Sequence, residues 1–160
     1  MDVTQSTDGD RADFPRLLNR YIIRSDATQG RFALIEHEIL PNALAAPVHT
    51  HQHEDEYSYV LEGRVGVRIG DQEAVAEPGD LVMKPRGVPH AFWNAGAEPA
   101  RLLELISPGG FERYFEEMAP HLNAGGPPDV AALAEIQDRY GLEMDFESRA
   151  ELAERHGLEA

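Results

Sequence analysis

The sequence predicts a mainly β fold, one antiparallel barrel or sandwich followed by helices, on three observations. Short segments of alternating apolar and polar residues recur between residues 21 and 106, separated by Gly, Pro, Asn and Asp. Such spacing is the pattern of antiparallel sheets packed face to face. After Ser107-Pro108-Gly109-Gly110 the hydrophobic period changes: Phe111, Tyr114, Phe115 and Met118 follow i, i+3, i+4, i+7, the stripe of an amphipathic helix. The length of 160 residues suits a single domain that can bury a real core.

Taken in order, residues 1–15 read as a flexible tail, because residues 1–13 contain four Asp among Ser, Thr and Gly. Residues 16–108 are assigned to the barrel. Strands are expected at 21–24 and 32–39, with Gly30 between them. Pro41 and Pro47 are read as bracketing a loop that delivers the chain to His49. A meander follows at 57–61, 64–69, 72–76, 80–84, 90–94 and 101–106. Its breaks fall at Gly63, Gly70-Asp71, Pro78-Gly79, 85–89 and 95–99. Residues 109–160 form a helical segment packed on the barrel. Its first helix carries the aromatic stripe, its second is capped by Asp129 and ends near Gly141, and its third starts with a Ser148/Glu151 capping box and stops at Gly157.

Composition narrows the function. With 14 Lys and Arg against 29 Asp and Glu, the net charge of −15 argues against nucleic acid and anionic membrane as partners. The absence of cysteine excludes disulfides, thiolate catalysis and Cys-ligated metal sites. No run of about 18 apolar residues is present and the start lacks a signal-peptide pattern, so a cytoplasmic location is expected. The single lysine, Lys84, is read as a solvated strand residue rather than a Schiff-base amine. No nucleophile elbow, phosphate-cradling glycine loop or dinucleotide fingerprint occurs.

The chemistry concentrates in His49-Thr50-His51-Gln52-His53-Glu54-Asp55-Glu56 and in residues 79–94. Imidazoles two apart on a strand share a face, so His49 and His51 can converge on one ion. Glu56 and His90 would complete a cluster suited to one divalent transition metal: Fe, Mn, Ni, Cu or Zn. His51 and His53 offer a second pair on the same logic. His37, His121 and His156 have no partner spacing and read as structural or solvated.

These residues carry a family resemblance. His-x-His-x4-Glu-x6-Gly at His49, His51, Glu56 and Gly63 resembles the first cupin motif. Gly-x5-Pro-x-Gly-x2-His-x3-Asn at Gly79, Pro85, Gly87, His90 and Asn94 resembles the second. One departure stands at Ala43, where the first motif usually begins with Gly, so the turn into the motif is expected to differ. The resemblance implies a jelly-roll barrel with His49, His51, Glu56 and His90 as metal ligands. It leaves His53 at the rim, as a partner standing behind a ligand or an exposed loop residue. Glu54 and Asp55 fall outside the ligand set.

On strand alternation, Phe92 is expected to line a substrate pocket, and Ser58 to share a face with Glu56 and enlarge the cavity. Tyr57, Tyr59 and Met83 are further lining candidates. The chain is similar to small single-domain cupins of the quercetin-dioxygenase-like group. That similarity implies a dioxygenase-like oxidoreductase acting on a small enolic or phenolic substrate of flavonol or diketone type, with Glu56 as ligand and base. A metal-dependent isomerase or lyase, or a non-catalytic small-molecule binder, fits the same ligands. A homodimer is expected, as is common for small cupins.

Overall fold

The computed structural model describes residues 9–159. Among them, strands β1 (Leu17–Ile23), β2 (Ala33–Ile39), β3 (Leu44–His51), β4 (Asp55–Glu62) and β5 (Val65–Ile69) come first. They are followed by β6 (Gln72–Ala76), β7 (Leu81–Lys84), β8 (His90–Asn94) and β9 (Ala100–Ser107). Helices α1 (Glu112–Leu122) and α2 (Val130–Arg139), strand β10 (Leu142–Asp145) and helix α3 (Ser148–His156) complete the chain. The strands form two antiparallel sheets, ordered β1-β2-β9-β4-β7 and β10-β3-β8-β5-β6, which face each other as a jelly roll.

Period-two patterning explains the faces. In β2, Ala33, Ile35, His37 and Ile39 are buried while their neighbours are half-buried, and β9 repeats this with Ala100, Leu102, Glu104 and Ile106. Register sets Ile35 opposite Glu104 and His37 opposite Leu102, so both inward rows mix apolar residues with one ionisable group each. From the other sheet Val65, Val67 and Phe92 pack against Leu102, Ile39 and Val60. Each such side chain contributes roughly 1.5–3 kcal/mol by leaving water.

Gly66 is required here, because a Cβ at that position would stand 2.1 Å from the Trp93 indole. Trp93 in turn packs with Leu44, Ala91 and Leu152, which seats α3 on the outer side of β8.

The aromatic stripe closes one end of the barrel. Phe111, Tyr114, Phe115 and Met118 join Leu133 and Ile136 of α2, Leu142 of β10, and Ile35 and Ile106 of the sheet. The start of α1 is fastened by Glu112, whose carboxylate accepts from Ser25 N at 2.9 Å and Gly110 N at 2.6 Å.

Several expectations are corrected. The stretch between Pro41 and Pro47 is largely strand: β3 pairs with β8 on one side and β10 on the other. Pro47 lacks an N–H, and the β3–β8 register shifts between Ala46 and His49 around it. Strand β10, absent from the sequence reading, supplies the outer partner of the histidine strand, with Met144 opposite His49 and Leu142 opposite His51.

Of the expected tail, residues 1–8 lie outside the described residues, but the segment after them is not frayed. It runs beside β1, with Ala12 buried and its N–H donating to Asn19 O at 3.0 Å. At the turn into the first motif, Asn42 takes the left-handed backbone (φ 51°), so Ala43 needs no positive φ and is fully buried. The Ser148/Glu151 capping box does not form. Asp145 Oδ1 accepts from Glu147 N and Ser148 N instead, and Ser148 Oγ accepts from Val48 N at 2.8 Å.

Candidate metal centre

Alternation on three strands, the paired β3 and β8 of one sheet and β4 of the other, builds the cluster. His49 and His51 share the inner face of β3, Glu56 opens the inner face of β4, and His90 lies opposite His49 on β8. One donor atom from each of His49, His51, Glu56 and His90 lies within 4.8 Å of all the others, and all four residues are buried. Glu56 Oε1 is 3.4 Å from His51 Nε2, and Glu56 Oε2 is 3.3 Å from His90 Nε2.

The donor chemistry fits a single metal ion. His49 Nδ1 donates to Pro47 O at 2.8 Å and His90 Nδ1 to Val88 O at 3.0 Å, so each Nε2 keeps a lone pair directed at the cluster. His90 Nε2 is buried with no hydrogen-bond partner among the described residues. Burial pulls His49 well below the ordinary imidazole range and His90 below it as well, the neutral state a ligand needs. A divalent ion with ligands at roughly 2.0–2.2 Å sets neighbouring donors about 3–3.5 Å apart, a spacing that both Glu56–imidazole distances match.

Glu56 is held as a carboxylate. Burial opposes its charge, but the ammonium of Lys84, together with His51 and His90, holds its carboxyl well below the usual range. Lys84 Nζ stands 3.0 Å from Glu56 Oε2 and 2.7 Å from Glu104 Oε2. The reading of Lys84 as solvated is therefore overturned: it is 1% exposed. Glu104 is pushed up to about 7 by burial, partly offset by Lys84. Its Oε2 accepts from Ser58 Oγ at 2.7 Å, and its Oε1 has no partner among the described residues.

A cavity of about 390 Å³ extends from His49, His51 and Glu56 past Lys84, Glu104 and Phe92 to His37 and the aromatic side chains of α1. Helices α1 and α2 and strand β10 cover it, so the C-terminal segment serves this site. Phe92 lines the cavity.

Tyr57, Tyr59 and Met83 do not. They alternate with Glu56, Ser58 and Lys84 and so point outward, Tyr59 and Met83 being 44% and 58% exposed. Ser58 faces inward but buttresses Glu104 rather than widening the cavity. His53 is exposed and its ring crowds Gly141, so it stands behind no ligand. Glu54 lies closer to the ligands: its buried Oε2 is 3.6 Å from His51 Nδ1, and neither atom has a hydrogen-bond partner among the described residues. Asp55 is tied to Arg86.

Sequence reasoning missed Lys84, Glu104 and His37. The signal was there: each is an ionisable residue in the inward register of an otherwise apolar strand face.

Fold and site define a two-sheet barrel with a buried three-imidazole, one-carboxylate centre. The cupin domain family matches residues 35–106. The polyketide cyclase RemF from Streptomyces resistomycificus is 30% identical, with a TM-score of 0.57 over 67% of this chain and 79% of that one. The TT1209 protein of Thermus thermophilus is also 30% identical, with a TM-score of 0.57 over 68% and 98% of the two chains. This chain belongs to the cupin superfamily.

Among curated proteins, the tetracenomycin polyketide synthase protein TcmJ from Streptomyces glaucescens is 37% identical over 60 residues. That match covers 38% of this chain and 40% of the relative's length. No helix among the described residues is long and apolar enough to cross a membrane.

Proposed function

We propose that this protein is a metal-dependent enzyme that removes a proton from an enolic or phenolic, polyketide-like small molecule. The observation that carries the reading is the continuity of the His49–His51–Glu56–His90 cluster with a cavity walled by Phe92, Phe111, Tyr114 and Phe115. His49, His51, Glu56 and His90 would hold one divalent transition ion. Such an ion supplies a Lewis acid that makes a nearby enol or phenol more acidic.

Glu56, held low by Lys84, suits charge-holding and ligation. The base role is better matched by Glu104, which lines the same cavity, whose carboxyl is pushed up to about 7 and whose buried Oε1 has no hydrogen-bond partner among the described residues. The substrate O–H or activated C–H bond breaks, its proton passes to Glu104 Oε1, and the electron pair stays on the substrate for ring closure or isomerisation.

Ring closure is the first reading because the polyketide synthase protein and the polyketide cyclase are relatives at 37% and 30% identity. Dioxygenase-like chemistry is the second, favoured by the ligand spacing of the first motif. It begins with the same proton removal and consumes dioxygen.

Elemental analysis of untagged protein tests the reading, expecting about one Fe, Mn, Ni, Cu or Zn per chain that is lost in His49→Ala. Acetylacetone added to the metal-containing protein should show the ultraviolet shift of enolate formation, kept in Glu56→Asp only where the metal is kept and lost in Glu104→Gln with the metal still bound. Oxygen uptake separates the two chemistries. A metal-free chain that cannot be loaded defeats both.

The same reading includes a homodimer. Tyr59, Leu81 and Met83 form an exposed apolar patch on the outer face of β4 and β7, and β7 is the last strand of its sheet. An exposed apolar edge of this kind favours burial against a second copy.

A further inference from the structure

We propose that His37 selects substrates through a fixed, bare Nε2 that accepts a hydrogen bond from a hydroxyl remote from the metal-facing oxygen. The inference deepens the proposed function and rests on it.

The tautomer follows from hydrogen bonds two residues deep. Asn19 Nδ2 donates to Ala12 O at 2.7 Å, which fixes the amide so that Oδ1 faces His37 Nδ1, also at 2.7 Å. An amide oxygen only accepts, so Nδ1 must carry the hydrogen. A neutral imidazole has one N–H, which leaves Nε2 as a lone pair. Burial, with Lys84, pushes the ring down to about 3, so it stays neutral. His37 is 2% exposed, lines the cavity, and its Nε2 has no partner among the described residues.

Asn19 is itself fully buried and held at its backbone by Asp13 Oδ1 at 2.8 Å and by Ala12. The acceptor is therefore preorganised rather than free to turn away.

Its place defines the ligand. On the inner face of the sheet His37 lies opposite Leu102, which lies opposite Val60, four residues along β4 from Glu56. Phe92 and Phe115 stand beside it, with ring centroids at 6.2 and 5.5 Å. One cavity is lined by His49, His51 and Glu56 and also by His37, and the inferred ligand is a planar aromatic ring lying along it. One oxygen would then face the cluster, and a second hydroxyl on the far side would donate to Nε2. The substrate class is a polyhydroxylated aromatic or enolised polyketide rather than a simple diketone. A buried acceptor left without a donor penalises ligands lacking that hydroxyl.

Isothermal titration of the untagged, metal-containing protein tests this with 2′-hydroxyacetophenone and its 2′,4′- and 2′,5′-dihydroxy forms. At least one dihydroxy form should bind about tenfold more tightly than the parent. His37→Phe should erase that preference, the dihydroxy forms then binding no more tightly than the parent to the same variant, and His37→Gln should restore part of it. A preference that survives His37→Phe, or none in the native protein while the parent binds, overturns the role of His37. Failure of the parent to bind protein carrying one ion per chain overturns the site reading itself, and this inference with it. Nitrogen-15 NMR of the ligand-free protein gives a readout independent of affinity: His37 should be protonated at Nδ1 and bare at Nε2, and the reverse tautomer overturns the proposal.

Discussion

Lys84 is 1% exposed between two carboxylates, 3.0 Å from Glu56 and 2.7 Å from Glu104. A buried charge in such a set is tolerated only while its partners remain, because the desolvation of each ion is offset by the others. Lys84→Met should therefore destabilise the protein by about 3–5 kcal/mol, measured by urea unfolding. Adding Glu104→Gln should recover part of that loss, and purely additive losses in the double variant would show that the two groups are not coupled.

His37 gives a second residue-scale expectation. Burial first, then Lys84, lowers its folded pKa from 6.5 to about 3. Between those values the unfolded chain binds a proton that the folded chain refuses. Stability is then lost as pH falls through that window, by up to ~1.4 kcal/mol per pH unit. Urea titrations from pH 7 to 4.5 should show a shallower acid slope in His37→Phe than in the native protein, and parallel slopes would mean that His37 is not buried in the neutral form.

At the scale of elements, β3 carries the argument. It presents His49 and His51 only because β8 holds it from within and β10 from the edge. Ser148 at the start of α3 adds a cross-link, accepting from Val48 N at 2.8 Å and donating to Asp145 O at 2.6 Å. Ser148→Ala leaves Val48 N–H without a partner next to His49, at a cost of about 1–3 kcal/mol. The urea midpoint should fall accordingly and metal retention should weaken, whereas an unchanged midpoint would show that the contact does not stabilise β3.

Alternation made most strands legible, with 72–76 and 90–94 matching β6 and β8 residue for residue. It failed at β3, where two prolines imitate a loop, and at β10, which has only four residues and takes its conformation from its neighbour. The Asp129 cap was legible because it is local: its side chain accepts from Ala132 N at 3.1 Å. The Ser148 cap was misread because a long-range contact with Val48 captured the hydroxyl.

For the whole molecule, acidity and the apolar β4–β7 patch act in opposite directions. A net charge of −15 keeps copies apart at low ionic strength, while burial of Tyr59, Leu81 and Met83 favours pairing. Sedimentation should give a dimer that tightens with salt, and Leu81→Arg should yield a monomer with normal metal content. A native monomer at all salt concentrations removes the patch as an interface.

The sequence by itself determined the antiparallel β architecture through its alternation, and its two cupin-like motifs pointed to His49, His51, Glu56 and His90 as one cluster. Period two puts His49 and His51 on one face, and turn residues at Gly63, Gly79 and Gly87 set the strand ends. Only the tertiary structure decided which ionisable groups share the cavity. Lys84, Glu104 and His37 come from three different strands, and a residue's inward register says nothing about who stands opposite until the sheets close. The physical reason is that local periodicity decides which way a side chain faces, whereas charge pairing and tautomer selection depend on burial and on partners far away in the chain.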